Sequence, residues 1–309
     1  MKRMILGLAL STVVSGLTCA ELAFAKKVKN KYGVVENGKM PQKNLEDLSK
    51  DVKTTLGNMD QRHYEDIVAD PSQARNDQEK VAALSAREIF ILVDRSGSMN
   101  AKDDNPSGVF SSGWTRWDSA RVAAESISEL AIALDADNTI DIMLWDGNQY
   151  GQLNSRYETM TQVGEIQKFF EQNKPQRGST PLAQALTKVY EDKLSTLLHN
   201  SEPFTVVILT DGQPNNPNAV KKFFKRIIQE NNLEAFGRET LAAFSFIRMG
   251  DDPNAEAFLQ DLDDNLIHQL NVKVDIVDTK EDNFLFGTGK YTNLEAVGPF
   301  AMFWDAIYD

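Results

Sequence analysis

Five oxygen-bearing side chains have the types and spacing to do chemistry together: Asp94, Ser96, Ser98, Thr180 and Asp211. Asp94-Arg95-Ser96-Gly97-Ser98 directly follows the apolar run Ile89-Phe90-Ile91-Leu92-Val93; Thr180 follows Gly178-Ser179; Asp211 follows Val206-Val207-Ile208-Leu209-Thr210. Carboxylate and hydroxyl oxygens are the ligands of hard divalent cations, and Mg²⁺ in particular keeps near-octahedral geometry and several of its waters. Gly97 lets a loop turn tightly enough for both serines to face one point, and Pro181 suits the first turn of a helix beside Thr180. Ser-Gly-Ser after a strand is by itself ordinary turn chemistry. Three such pieces in order, each at the end of an apolar run or the start of a helix, are a stronger signal than any one of them.

The elements that must position these residues read as alternating strands and helices. Strands are expected at Ile89–Val93, Ile140–Trp145, Phe204–Thr210, Leu241–Arg248 and Val272–Val277, with Leu153–Thr159 as an edge strand. Helices are expected at Trp117–Leu134, Val163–Gln172, Pro181–Leu198, Asn218–Asn231 and Asn254–Leu270. The first of these carries Ala120, Ala123, Ile127, Leu130 and Leu134 on one side, at helical spacing. Such alternation predicts an α/β fold: a doubly wound, mainly parallel sheet with helices on both faces. In sheets of this kind ligands bind beyond the carboxyl ends of the strands, where all five residues are delivered.

This constellation resembles the metal-ion-dependent adhesion site of von Willebrand factor A domains, whose pattern is D-x-S-x-S, then a loop Thr, then a loop Asp. All five positions match, over a resemblance running roughly from Glu88 to Thr279. Its later part, Phe246–Asp252, Phe258–Asp264 and Val274–Thr279, is similar to a stand-alone A-domain type of microbes. The resemblance implies Mg²⁺, or Mn²⁺ or Ca²⁺, held by the Ser96, Ser98 and Thr180 hydroxyls, with Asp94 and Asp211 acting mainly through bridging waters. It also implies a protein partner whose Asp or Glu completes the coordination of an ion left electrophilic by so few direct carboxylates.

The 309 residues hold one large or two small domains, and a hydrophobic fraction of 41% is enough to fill a core. Residues 1–25 read as a secretory leader. Lys2 and Arg3 precede the apolar stretch Met4–Val14, and Ala23-Phe24-Ala25 offers small residues for cleavage. The expected location is therefore periplasmic or secreted. The single cysteine, Cys19, lies in that leader, so a chain trimmed near Ala25 carries no thiol and neither disulfides nor cysteine catalysis. Loss of Lys2, Arg3 and Glu21 takes the formal charge from −12 to about −13. A chain this acidic is repelled by phosphate backbones, which argues against a nucleic-acid partner. Residues 26–87 read as a polar, partly helical or disordered extension. Its basic start, Lys26–Lys31, is a solvated tail or an anionic-surface anchor, and Leu45, Leu48, Val52 and Leu56 form a narrow helical stripe. The main domain is expected over 88–309, with an irregular extension after about 279 leading to Phe300–Tyr308.

Other residues invite site readings that have plainer alternatives. Asp103, Asp104 and Asn105 suit a second cation or a solvated loop, and Asp251-Asp252 with Asp261, Asp263 and Asp264 suit a cation or helix caps. Trp114 and Trp117 suit partner contacts or core packing. Phe223, Phe224, Ile227 and Ile228 read as the buried stripe of a helix. Enzyme signatures are weak. Gly287-Thr288-Gly289-Lys290 has Tyr291 where a phosphate loop needs Ser or Thr, and His63, His199 and His268 lack metal-ligand spacing. A metal-assisted hydrolase would need a general base beside the metal, for which only the loop aspartates such as Asp146 are available. A structural subunit of a cell-envelope assembly is the remaining alternative.

Overall fold

The computed structural model describes residues 27–30, 33–36, 50, 53–54, 56–102, 115–134, 138–281 and 299–308. The leader with Cys19, the stripe residues Leu45, Leu48 and Val52, the Asp103-Asp104-Asn105 loop with Trp114, and Gly287–Lys290 lie outside them. Six strands form one sheet: β3 (Glu88–Asp94), β4 (Ile140–Gly147), β5 (Leu153–Met160), β6 (Phe204–Thr210), β7 (Ala242–Arg248) and β8 (Val277–Glu281). Their order is β5-β4-β3-β6-β7-β8; β5 runs antiparallel on the edge and every other pairing is parallel. A separate antiparallel hairpin, β1 (Lys27–Asn30) with β2 (Gly33–Glu36), stands where the sequence reading placed a basic tail.

The parallel strands form because their residues are apolar on both sides. Ile89, Ile91 and Val93 of β3, with Val207 and Leu209 of β6, enter one core; Phe90 and Leu92, with Val206 and Ile208, enter the other. A run buried on both faces reads as continuous hydrophobicity, the mark of a central parallel strand. Burying one such side chain is worth about 1.5–3 kcal/mol, whereas an exposed pair such as Lys188–Asp192 contributes under about 1 kcal/mol. The two cores therefore hold the sheet.

Helices cover both faces. On the first lie α1 (Gln61–Ala69), α2 (Asp77–Ser85), α3 (Arg116–Leu134), α4 (Val163–Gln172) and, at the chain end, α9 (Pro299–Tyr308). Val81 and Leu84 of α2 and Met302 and Phe303 of α9 belong to the same core as Ala120 and Ile127 of α3, so both flanking regions contribute to it. Leu56, the described member of the narrow stripe, packs on that core, and Ile67, Ala82 and Ala83 form a small satellite against Trp304. On the second face lie α5 (Leu182–Val189), α6 (Ser195–Asn200), α7 (Pro217–Glu230) and α8 (Pro253–Leu270), with a π-helical turn, Tyr190–Leu194, joining α5 to α6. Phe223, Phe224, Ile227 and Ile228 of α7 are buried in this second core, as their spacing predicts.

One strand is displaced from its expected position. Val272, Val274 and Ile276 bury their side chains alternately, which gave a strand signal over 272–277, but the ladder to β7 begins at Val277 opposite Phe244 and runs to Glu281. Alternation reported burial; hydrogen-bond register decided the strand. Among the described residues no helix is long and apolar enough to cross a membrane.

Candidate metal centre

The order of the strands brings the five residues to one place. After β3 the chain winds towards β4, and after β6 it winds the other way towards β7, so the C-terminal ends of the neighbouring strands β3 and β6 border the crevice at the switch point. Val93 pairs with Leu209, which sets Asp94 beside Thr210 and puts Asp211 one residue further along. The Thr210 hydroxyl donates to Asp94 Oδ2 at 2.8 Å, and the Ser96 backbone N–H donates to Asp94 Oδ1 at 2.7 Å.

A 3₁₀ turn over Gly97–Asn100 then folds the chain back. It brings Ser98 Oγ to 3.0 Å from Ser96 Oγ and lets Ser98 donate to Asp211 Oδ1 at 2.9 Å. The loop carrying Thr180 is pinned from two sides. Gly147 and Ser179 exchange backbone hydrogen bonds at 2.9 and 3.2 Å, and Thr180 and Asn215 clasp each other through Thr180 N to Asn215 Oδ1 at 3.1 Å and Asn215 N to Thr180 O at 3.0 Å. Gly178 is required by the first of these contacts, because a Cβ there would lie 2.5 Å from the Gly147 carbonyl oxygen. A Cβ on Gly212 would lie 3.9 Å from Thr180 Oγ1 and 4.0 Å from Ser98 Oγ, so both hydroxyls flank the turn that follows Asp211. Pro181 sits one residue before α5.

Asp94 and Asp211 form a floor with no exposure, Ser96 and Thr180 are buried beside them, and Ser98 stands exposed at the rim. Burial, and then the negative charge of Asp211, push the Asp94 carboxyl up to about 7. Burial also raises Asp211, against the pull of Arg116 and Ser98. Two buried carboxylates that repel each other are what a divalent cation relieves, and the surrounding donors are all oxygens. Among the described residues no group of three or more His, Cys, Asp and Glu is placed to hold a metal ion. The donor set thus suits Mg²⁺, Mn²⁺ or Ca²⁺ rather than zinc.

Several other candidates have structural roles. Asp146 lies in β4, not in a loop: it is buried, paired with Arg95 at 2.6 Å and accepts from Asn154 at 3.0 Å, so it is not placed as a general base. Trp117 is buried with its ring 4.5 Å from that of Phe170, which makes it core. Asp252 caps α8, Asp261 binds Lys221 and Gln269, and Asp263 accepts from Thr279. His63 pairs with Glu79 at 3.2 Å, while His199 and His268 lie in the last turns of α6 and α8.

Sequence reading missed Thr210, Asn215 and Arg116. Thr210 was legible as the hydroxyl beside Asp211, and Arg116 as a cation at the start of a helix, where the macrodipole disfavours it.

Residues 89–214, which include all five candidate ligands, match the family described as von Willebrand factor type A domain. Among solved structures, the SpRpn10 VWA domain is similar at 14% identity and a TM-score of 0.43, over 63% of this chain and 87% of that one. Proximal thread matrix protein 1 from the mussel byssus is similar at 14% identity and a TM-score of 0.40, over 70% of this chain and 48% of that one. Comparison with curated proteins gives no match.

Proposed function

We propose that this chain is an exported, metal-dependent protein-binding module whose von Willebrand factor type A domain recognises an acidic side chain on a partner protein. One observation carries the reading: two fully buried carboxylates, Asp94 and Asp211, meet the hydroxyls of Ser96 and Ser98 at the ends of adjacent parallel strands, with Thr180 beside them. In this reading Ser96, Ser98 and Thr180 hold a Mg²⁺, Mn²⁺ or Ca²⁺ ion directly. Asp94, with a hydrogen-bond donor on each of its oxygens, and Asp211, gripped by Ser98 and Arg116, supply negative charge from behind. When bound, such an ion offers an open coordination position to a carboxylate of the partner. Exposed Ser98 lies on the side from which that carboxylate approaches.

Protein binding is also the general role of this domain type, and the alternative of a metal-assisted hydrolase loses Asp146, the base named for it, because Asp146 is committed to Arg95 and Asn154. The proposed periplasmic or secreted location rests on the leader-like residues 1–25. Mass spectrometry of protein from its native host is expected to find a chain beginning near Lys26. The binding reading is tested by pull-down from envelope extracts in Mg²⁺ and in EDTA, with wild type and Asp94→Ala. Capture of the same protein by wild type in Mg²⁺ only, and never by the variant, supports it; capture that survives EDTA overturns it.

A further inference from the structure

We infer that Arg116 is a built-in counter-cation of the metal centre, weakening ion binding by sharing Asp211 and making the loaded site one charge more positive towards a partner's carboxylate. The inference rests on the metal-site reading and adds a residue that the five-residue pattern does not contain.

Arg116 is the first residue of α3, where the positive end of the helix dipole makes a cation unfavourable. Asp118 meets the usual needs of that helix start by accepting from Thr115 N at 2.9 Å and Thr115 Oγ1 at 2.7 Å. Arg116 is turned away from the helix instead. Its Nη1 donates to Asp211 Oδ2 at 2.9 Å, and its Nη2 lies 3.4 Å from Asp251 Oδ1. The first carboxylate is buried and the second is 66% exposed, so the guanidinium bridges the floor of the site and the solvent.

The route between them is kept open by a glycine. Gly250 has a φ of +78°, and a Cβ on it would stand 2.4 Å from Arg116 Nε. Ser98 holds Oδ1 of Asp211 while Arg116 holds Oδ2, so the guanidinium can remain in place while Oδ1 faces the hydroxyl ligands.

Charge then decides the consequence. Asp94, Asp211 and Asp251 ionised, with Arg116, give a net charge of about −2, a divalent ion brings it to about zero, and without Arg116 each state is one unit more negative. A fixed unit charge one carboxylate away from a divalent ion opposes its entry, and Coulomb's law in a water-like dielectric puts the effect at about tenfold in affinity. The same charge favours the partner's carboxylate, the anion that the loaded site must attract.

The test is Mn²⁺ titration calorimetry on the full chain, without any partner. Arg116→Gln is expected to bind about tenfold more tightly than wild type at unchanged stoichiometry, and Arg116→Lys within about twofold of wild type. Asp251→Asn removes an exposed negative charge that Arg116 shares with Asp211, so it is expected to bind about two- to threefold more weakly. Equal or weaker binding by Arg116→Gln overturns the inference while leaving the metal site standing. No binding by wild type or any variant overturns the metal-site reading and this inference together. Binding by Arg116→Gln alone supports it in its strongest form. If Arg116→Gln fails to fold, Asp251→Asn decides, since unchanged or tighter binding by that variant contradicts the charge argument.

Discussion

Thr210 donates its hydroxyl proton to Asp94 across the seam between β3 and β6, at 2.8 Å and with neither residue exposed. The bond ties the last residue of one strand to the last residue of its parallel neighbour, so the same contact that closes the sheet also aims a candidate ligand. Thr210→Val keeps the shape and removes the donor. It is expected to destabilise the fold by about 1–3 kcal/mol, the usual cost of a buried acceptor left without its partner. Urea unfolding measures this, and a cost within error of zero would show that Asp94 does not depend on Thr210.

Metal is expected to stabilise the folded chain, because an ion that binds only the native state shifts unfolding by about 2.7 kcal/mol at a hundredfold excess over Kd. Melting curves in EDTA and in saturating Mg²⁺ should separate for wild type. They should separate much less for Thr180→Ala, which removes one hydroxyl and leaves the backbone clasp with Asn215 intact. Superimposable wild-type curves in the two buffers would remove the metal from the site.

Gly178 supplies a steric test. A methyl group there would press on the Gly147 carbonyl from 2.5 Å, and that oxygen is backbone, so one strand of the Gly147–Ser179 contact must move. Gly178→Ala is expected to cost about 1–3 kcal/mol, the range for forcing extra atoms into a packed place. It should also lose most of the Mg²⁺ response, because the same segment presents Thr180. An unchanged metal response in a destabilised variant would separate the loop's packing from its role at the site.

The sheet and the five candidate ligands were legible for the same reason. Central parallel strands are apolar on both faces, and β3 and β6 each hand an aspartate to the loop as the apolar run stops. Arg116 was not legible as a partner of Asp211, because 95 positions in sequence separate the two and only the packing of α3 joins them. The segment 272–276 misled for the opposite reason: its apolar alternation is real and buried, but backbone pairing to β7 starts only at Val277. Trp117 likewise carried a chemistry that suits interfaces, and its contact with Phe170 turned it inward. Local pattern reports what a side chain avoids, and three-dimensional register decides what it meets.

Acidity should act on the metal-free and metal-loaded forms in opposite senses. In the folded, metal-free chain Asp94 is pushed up to about 7, from an ordinary 3.8, by burial and by Asp211. Between those values the folded state holds a proton that the unfolded chain has released, so stability falls as pH rises through this window. Metal-free protein is therefore expected to melt at a lower temperature at pH 8 than at pH 5.5, with a free-energy change of about 2 kcal/mol from this group. Bound metal requires the ionised carboxylates, and protons compete with it, so the stabilisation by Mg²⁺ should grow over the same range. Melting curves across pH 5.5–8 in EDTA and in Mg²⁺ measure both trends. A Mg²⁺ shift that stays constant with pH, or a metal-free melting temperature that climbs towards pH 8, would mean that Asp94 does not govern the site in the way its burial and its neighbour require.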